Sequence, residues 1–265
     1  MLRDKLMHHE AIDGFRWRSK EIARVEGFSD AVFGFAVTLL IISLEVPHTS
    51  TELLHMMRGF VSFVITFIML AGMWYAQFTF FRRYGLEDRV TVVLNLVLLF
   101  TVLFFVYPLK FLFGVLLSDP RMRSMVETAH GTVPAVLPEH KKWIFLIFGL
   151  GFMSVFLVFT LLYRHAYKQR DRLGLNEFEI YETKHSIRRM TLAMFIGVSY
   201  FAVAALQALP QETQMQKRIA LGAGFAMLAV FATLMFLMAR IARERKRVTK
   251  EWQARMAVGT QSEDE

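Results

Sequence analysis

The amino-acid sequence predicts an all-α protein whose helices cross a membrane several times. Of its 265 residues, 55% are hydrophobic, 26 are phenylalanine and only 6 are proline, a composition that soluble domains rarely have. Apolar runs also recur at about the 20 residues that a helix needs to cross a bilayer core. The chain contains no cysteine, which excludes disulfides, thiolate metal sites and cysteine nucleophiles.

Six apolar runs bounded by charged residues are long enough to be spanning helices. The third contains Pro108, which removes one hydrogen bond from the helical ladder. The loop from Ser118 to Lys142 has three prolines and is expected to be irregular, whereas Asp171 to Ile187 is expected to be a solvated helix or linker. The predicted spans are Phe28–Val46, Gly59–Phe81, Val90–Leu117, Trp143–Tyr163, Met190–Leu209 and Ile219–Ala239.

The distribution of positive charge predicts the orientation of these spans. Of the 31 lysines and arginines, 23 lie in the two tails and the even-numbered loops, and seven lie in the odd-numbered loops. The positive-inside rule therefore places both termini in the cytoplasm of a multi-pass protein of the inner (plasma) membrane. We divide the chain into an N-terminal tail (1–27), a transmembrane domain (28–239) and a basic C-terminal tail (240–265). That tail abuts a span, so its expected partner is the lipid bilayer and not nucleic acid.

Two ionisable or polar residues open the first span. An aspartate at mid-helix costs about 2.5 to 3.5 kcal/mol on insertion scales, so Asp30 needs a partner or an interfacial position. One interpretation is a first-turn carboxylate favoured by the helix dipole, with Ser29 as cap. The other is a buried carboxylate held by neighbouring helices. Donors are available in Trp74 and Gln77 of the second span and in Asn95 of the third, while Arg24 is too far along the same helix to face Asp30.

Helical periodicity separates the first span into faces at about 100° per residue. One stripe carries apolar, hydroxyl and carboxylate side chains, and Ser29 and Asp30 point to other sides. Gly27 and Gly34 permit close approach of another helix. The stripe consists of Phe28, Ala31, Phe35, Thr38, Ile42 and Glu45.

These residues carry a resemblance to a known family. The run Arg24-Val-Glu-Gly-Phe28-Ser29-Asp30 matches the R-x-x-x-F-S-D signature that opens the first helix of the transmembrane-protein-175 family of potassium channels. The region of Trp74, the segment LNLVLLF at 94–100 and the following Tyr107-Pro108 also resemble the second and third spans of that family.

The resemblance implies a homotetrameric, passive, potassium-permeable cation channel in which the first helix of each subunit lines one central pore. Phe35 matches the apolar constriction, and Thr38 matches a hydroxyl position linked to cation selectivity. Ala31, Ile42 and Glu45 would line the rest of the pore, with Glu45 either concentrating cations at its mouth or lying at the interface. The signature and packing residues would be Arg24, Phe28, Ser29, Asp30, Trp74, Gln77 and Asn95.

Two positions depart from the family pattern. The constriction is usually isoleucine or leucine, and Phe35 is bulkier, which affects the expected conductance. A histidine often follows the tryptophan of the second span, and Gln77 stands at about that place here, so titration at this position would be lost.

Other kinds of activity have little support in the sequence. It contains no GxSxG, HExxH or Walker A motif and no histidine spacing typical of a metal site, so we expect neither an enzyme nor a cofactor, with K⁺ only as the permeant ion. Two alternatives stay open. A secondary transporter would show internal repeats, but spans one to three do not resemble spans four to six, and spans two to six lack a midplane carboxylate. A non-conducting membrane scaffold would need no polar pathway.

Overall fold

The computed structural model describes residues 15–19, 21–42, 48–117, 126–128, 131–133, 141–207, 232–252 and 254. Within these ranges the chain is helical except for one short hairpin and the connecting loops. The helices are α1 Arg24–Ile42, α2 Ser50–Tyr84, α3 Arg89–Leu117, α4 Lys141–Lys168 and α5 Glu177–Gln207, followed by α6, which covers 232–252.

In the described part of the chain, four helices are long and apolar enough to cross a membrane. They are Arg24–Ile42, Phe60–Tyr84, Arg89–Phe113 and Leu146–Lys168. Helix α1 begins four residues before the predicted span, because the Gly27 amide already donates to the Ala23 carbonyl at 3.0 Å. The fifth and sixth spans fall in α5 and α6 and partly outside the described residues, so they stay predictions, as do the side on which the termini lie and the three-part division of the chain.

The sequence suggested that the loop between α3 and α4 is irregular, but part of this loop is regular. Its described residues form an antiparallel hairpin of β1, Val126–Thr128, and β2, Gly131–Val133. The three prolines of this loop lie outside the two strands, so none of them removes a ladder hydrogen bond. The hairpin is the one departure from an all-helical fold among the described residues.

The helices pack in a chain of neighbours. Helix α1 lies against α2 and α3, α3 lies against α4, and α4 and α5 form the most extensive pair. The aromatic core at one end of the bundle joins α2 to α4, with the rings of Phe80 and Tyr163 5.4 Å apart edge to face. Burial of such rings stabilises the bundle beyond the helical propensity of the sequence.

Two glycines allow α4 and α5 to cross at close range. A Cβ atom placed on Gly197 would lie 2.6 Å from the Met153 amide nitrogen and 2.9 Å from the Gly149 carbonyl oxygen. Both obstacles are backbone atoms, so they cannot rotate away. Close backbone approach at small residues is the usual way in which membrane helices associate.

The charged end of the bundle is the end at which α2 and α4 finish and α3 and α5 begin. Two carboxylates of α5 are buried there. Glu179 receives hydrogen bonds from Arg16 and Arg18, with Arg18 Nη2 2.6 Å from Glu179 Oε2. Glu182 pairs with Arg245, whose Nε lies 2.8 Å from Oε1. The expectation that residues 171–187 are solvated is therefore wrong for Glu179 and Glu182, which face the bundle and are neutralised there, whereas Glu177 is exposed.

The buried ion pairs change the titration of Glu179. Burial alone would raise the pKa of its carboxyl group, but the hydrogen bonds from Arg16 and Arg18 outweigh burial and lower this pKa to about 2. The carboxylate is therefore charged at all physiological pH values, and the N-terminal segment that carries both arginines is held against the start of α5.

Candidate functional site

Helix α1 presents two different faces in the single chain. Its buried face packs on α2 and α3 and consists of Glu26, Ser29, Phe33, Ala36 and Leu40. Its other face is exposed even though it is apolar, with Phe35 57% and Ile42 75% exposed. This exposed stripe comprises the predicted positions Phe28, Ala31, Phe35, Thr38 and Ile42; Glu45 lies outside the described residues.

A directional chain of hydrogen bonds fixes the buried face. Gln77 Nε2 of α2 donates to Asn95 Oδ1 of α3 at 3.2 Å. Asn95 Nδ2 then donates to Ser29 Oγ at 2.8 Å, and that hydroxyl donates to the Val25 carbonyl oxygen at 2.7 Å. All three side chains are fully buried. Three predicted residues from three helices thus form one network, which sets the rotation of α1 about its own axis.

Asp30 contacts the partner that the sequence suggested, but it is not buried in the single chain. The indole Nε1 of Trp74 donates to Asp30 Oδ1 at 2.7 Å. The indole is in turn stacked on Phe78, with ring centroids 5.6 Å apart, and Asp30 itself is exposed. In the described part of the chain Arg24 does not contact Asp30, since the two residues are six positions apart on an unbroken helix.

Thr38 exposes hydroxyl lone pairs on the stripe. Its Oγ1 lies 2.7 Å from the Phe35 carbonyl oxygen, which can only accept, so the hydroxyl must donate its proton there. The remaining lone pairs of Oγ1 can therefore only accept, because the proton of this hydroxyl is already donated. On an exposed helix face such an oxygen favours cations over anions.

Sequence reasoning missed Glu26, which anchors the start of α1. Its side chain is buried and its Oε1 lies 3.2 Å from Arg82 Nε at the end of α2. The guanidinium also lies 5.4 Å above the Phe78 ring that supports Trp74. A signal was present: Glu26, Ser29 and Phe33 recur at the three- and four-residue spacing of one helix face, which indicates that Glu26 shares the packing face of Ser29.

The candidate site consists of hydrogen-bonded and exposed side chains. Among the residues that the structure describes, no group of three or more His, Cys, Asp or Glu side chains could hold a metal ion. Most predicted residues of α1 lie either on its buried face, which hydrogen bonds connect to α2 and α3, or on its exposed stripe. Fold and site together define a polytopic helical membrane protein. One face of its helix α1 is exposed and carries both apolar side chains and a hydroxyl group.

Comparison with known proteins places the chain in a family. The family profile described as "Endosomal/lysosomal potassium channel TMEM175" matches residues 24–105. A protein of Marivirga tractuosa named potassium channel is 40% identical over 184 residues, which cover 65% of this chain and 70% of that protein. Another relative, potassium channel Cha6605_3372 of Chamaesiphon minutus, is 26% identical over 69% of this chain and 82% of its own length.

A solved structure is similar over nearly its whole length. The crystal structure of a variant of the potassium channel MtTMEM175, in complex with a nanobody–MBP fusion, aligns with a TM-score of 0.69 and 32% identity. The alignment covers 87% of this chain and 97% of that chain. The chain described here belongs to the TMEM175 family, as a prokaryotic member.

Proposed function

We propose that this chain is the subunit of a passive, potassium-permeable cation channel in which the exposed stripe of α1 lines the pore. Its family and relatives are named potassium channels, and the observation that carries the proposal is the two-sided character of α1. One face is tied to α2 and α3 by the chain of hydrogen bonds from Gln77 to Ser29, and the opposite face carries Phe35, Thr38 and Ile42 exposed.

The position of Asp30 argues against a lipid-facing α1. A carboxylate within a spanning segment costs about 2.5 to 3.5 kcal/mol at mid-helix if it meets hydrocarbon. Asp30 and Thr38 both lie exposed in the single chain, and Gly34 has nothing within 4 Å of the Cβ position. Neighbouring subunits and a water-filled axis satisfy such a surface, and we propose the homotetramer that the family resemblance implies.

The stripe supplies the parts of a hydrophobic-neck pore. Rings of Phe35 would form the apolar constriction, which gates by exclusion of water, and Thr38 would offer acceptor oxygens one turn further along. Ala31 and Ile42 would line the route, and Glu45 would stand at its outer mouth. We place both termini in the cytoplasm and the channel in the plasma membrane, following the distribution of positive charge.

The experiment is a potassium flux measurement on the purified protein in liposomes and planar bilayers. Phe35→Ala should increase the single-channel current several-fold, because the narrowest apolar ring is removed. The matched control is Phe100→Ala, a phenylalanine of α3 that is 72% exposed, against 57% for Phe35, and it should leave the current unchanged. A current that is the same in Phe35→Ala and in the parent would remove Phe35 from the neck.

The same preparation separates the alternative functions. Flux through a channel follows the potassium gradient alone, so an imposed proton gradient should not shift its reversal potential. A reversal potential that moves with the proton gradient would indicate a secondary transporter. Absence of any flux from correctly assembled protein would indicate a scaffold.

A further inference from the structure

A cavity distinct from the stripe of α1 lies between α2, α4, α5 and α6. Its volume is about 670 Å³, within the range of roughly 300 to 1,000 Å³ typical of sites for small ligands. Its lining runs from Gly72 to Arg83 along α2 and from Glu182 to Ile196 along α5. The cavity therefore extends from the charged end of the bundle towards the middle of the helices.

The two ends of this cavity differ in chemistry. The end near the charged end of the bundle is lined by Arg83, Glu182, Arg189 and Arg245, and the deeper end by apolar side chains. Arginine thus outnumbers glutamate in the lining, so the polar end carries net positive charge. The deeper lining comprises Phe152, Phe156, Ala193, Ile196 and Met235.

Two side chains on α5 are free to bind a ligand at the polar end. Glu182 already holds Arg245 and lies 3.8 Å from Arg83, whereas Arg189 pairs with no carboxylate in the described part of the chain. Ser186 is only 2% exposed and lines the cavity together with Arg189. Ser186 and Arg189 are three residues apart on α5, so both point into the cavity from one helix face.

A phosphate oxygen can accept from both groups at once: from the Ser186 hydroxyl and from the planar guanidinium of Arg189. The cavity is partly open to the outside of the chain, and its wall residues Tyr75 and Met235 are 63% and 47% exposed. An amphiphile in the bilayer could therefore enter sideways, with its chain towards Phe152 and Ala193.

We infer that this cavity binds one anionic phospholipid, whose phosphate contacts Ser186 and Arg189 and whose acyl chain lies along the apolar end. A phospholipid fits better than a free phosphate ion because the apolar lining would otherwise face water. The net positive lining selects an anionic headgroup over a zwitterionic one. The inference is independent of conduction, since none of these residues lies on α1.

The test uses the purified full-length protein in detergent and three probes: phosphatidylglycerol, phosphatidylcholine and inorganic phosphate. Bound lipid is counted by native mass spectrometry, and the thermal midpoint is measured at increasing concentrations of each probe. Phosphatidylglycerol should bind one molecule per subunit and raise the midpoint. Phosphatidylcholine should do so more weakly, and phosphate should not do so at all.

Variants assign the binding to this cavity. Arg189→Gln should weaken binding of phosphatidylglycerol about fivefold, the value expected for one basic residue near a membrane surface. Ser186→Ala should also weaken the binding of phosphatidylglycerol. Ala193→Phe should reduce this binding because the larger side chain fills the apolar end of the cavity. The matched control is Arg188→Gln, the neighbouring arginine, which is exposed and should bind lipid as the parent does.

Several results would overturn the inference. Equal losses in Arg188→Gln and Arg189→Gln would mean general surface attraction, and equal stabilisation by phosphate would mean a site for free anions. Unchanged binding in Ala193→Phe would place the acyl chain elsewhere. The midpoint of each variant without added lipid identifies misfolding, and Arg189→Lys, which keeps the charge, should recover part of the affinity if Arg189→Gln fails to fold.

Discussion

Thr38 is the residue at which local backbone chemistry could determine which ions pass. Its proton is committed to the Phe35 carbonyl oxygen, so the hydroxyl can present only lone pairs to the proposed pore. Removing the hydroxyl while keeping the branched shape isolates this effect. In a symmetric assembly every subunit contributes one such oxygen at the same level.

We predict that Thr38→Val lowers the preference for potassium over chloride and sodium by about threefold to tenfold, the range that corresponds to one lost polar contact. Thr38→Ser keeps the oxygen and should behave as the parent. Reversal potentials under bi-ionic conditions measure the preference. If Thr38→Val and the parent give the same reversal potentials, Oγ1 does not meet the permeating ion.

Asp30 belongs to the same helix but has a different role. Its carboxylate accepts from the Trp74 indole and otherwise faces outward, so its burial depends on assembly. Because Asp30 is exposed in one subunit and a carboxylate in hydrocarbon is costly, we propose that it lies at the subunit boundary.

We predict that Asp30→Ala loses assembled tetramer before it alters selectivity, because each subunit loses a charged hydrogen bond of about 1.5 to 3 kcal/mol. Asp30→Asn keeps an acceptor for the indole and should retain most of the tetramer. Size-exclusion chromatography with light scattering gives the mass of the assembly. An intact Asp30→Ala tetramer with a shifted ratio of potassium to sodium permeability would instead place the aspartate on the ion pathway.

At the scale of elements, the start of α5 acts as a hub for the charged end of the bundle. Glu179 ties this helix to the N-terminal segment through Arg16 and Arg18, and the Thr183 hydroxyl lies 2.8 Å from that of Tyr84 at the end of α2. Since α2 also holds α1 through Arg82 and Glu26, α5 is connected to the proposed pore helix through α2.

The low pKa of Glu179 predicts acid sensitivity. Its pKa is about 2 in the folded chain against an ordinary value of 4.5, so its contribution to stability is present above pH 4.5 and is lost as the pH falls towards 2. Glu179→Gln should cost about 3 to 5 kcal/mol, as expected when one partner of a buried ion pair is removed, and should flatten this pH dependence. Thermal unfolding between pH 2.5 and pH 7 measures both effects.

The control for this prediction is Glu177→Gln, two residues earlier on the same helix and exposed. It should leave the thermal midpoint and its pH dependence unchanged. Equal acid sensitivity in the parent and in Glu179→Gln would mean that other carboxylates control unfolding in acid.

Sequence patterns predicted the apolar helices well and the charged end poorly, for a physical reason. Hydropathy reports the cost of transfer to lipid, so it found α1 to α4 and the polar residues of α1. It counts the glutamates of α5 as solvated, because it does not register that Arg16 and Arg245, which are distant in sequence, neutralise them. Glu26 was missed similarly: its partner Arg82 is 56 residues away.

The part of the site that depends only on the geometry of one helix was predictable from the sequence. A 100° step placed Phe35, Thr38 and Ile42 on one stripe, and the structure exposes all three. Which of the candidate donors would contact Asp30 was not predictable, since that depends on the rotation of α2 about its axis. Trp74 makes the contact, and Gln77, three residues further on, binds Asn95 instead.

At the scale of the whole molecule, exposed apolar side chains lie on all the described helices, so exposure alone does not separate lipid-facing from pore-facing surfaces. Phe100 of α3 is 72% exposed and Ile42 of α1 is 75% exposed. Lipid and water differ, however, in what they allow a thiol to do. A thiolate forms in water and reacts, whereas a thiol in hydrocarbon stays protonated and inert.

The chain contains no cysteine, so single cysteines can be introduced without background. We predict that Ile42→Cys reacts with a charged methanethiosulfonate reagent added from the outside, and that the modification reduces the potassium current by more than half, because a bulky charge then occupies the lumen beyond the Phe35 neck. Phe100→Cys, matched in exposure, should neither react nor change the current. Modification of both cysteines without loss of current would place the conduction path away from α1, even though the family membership and the helical fold would stand.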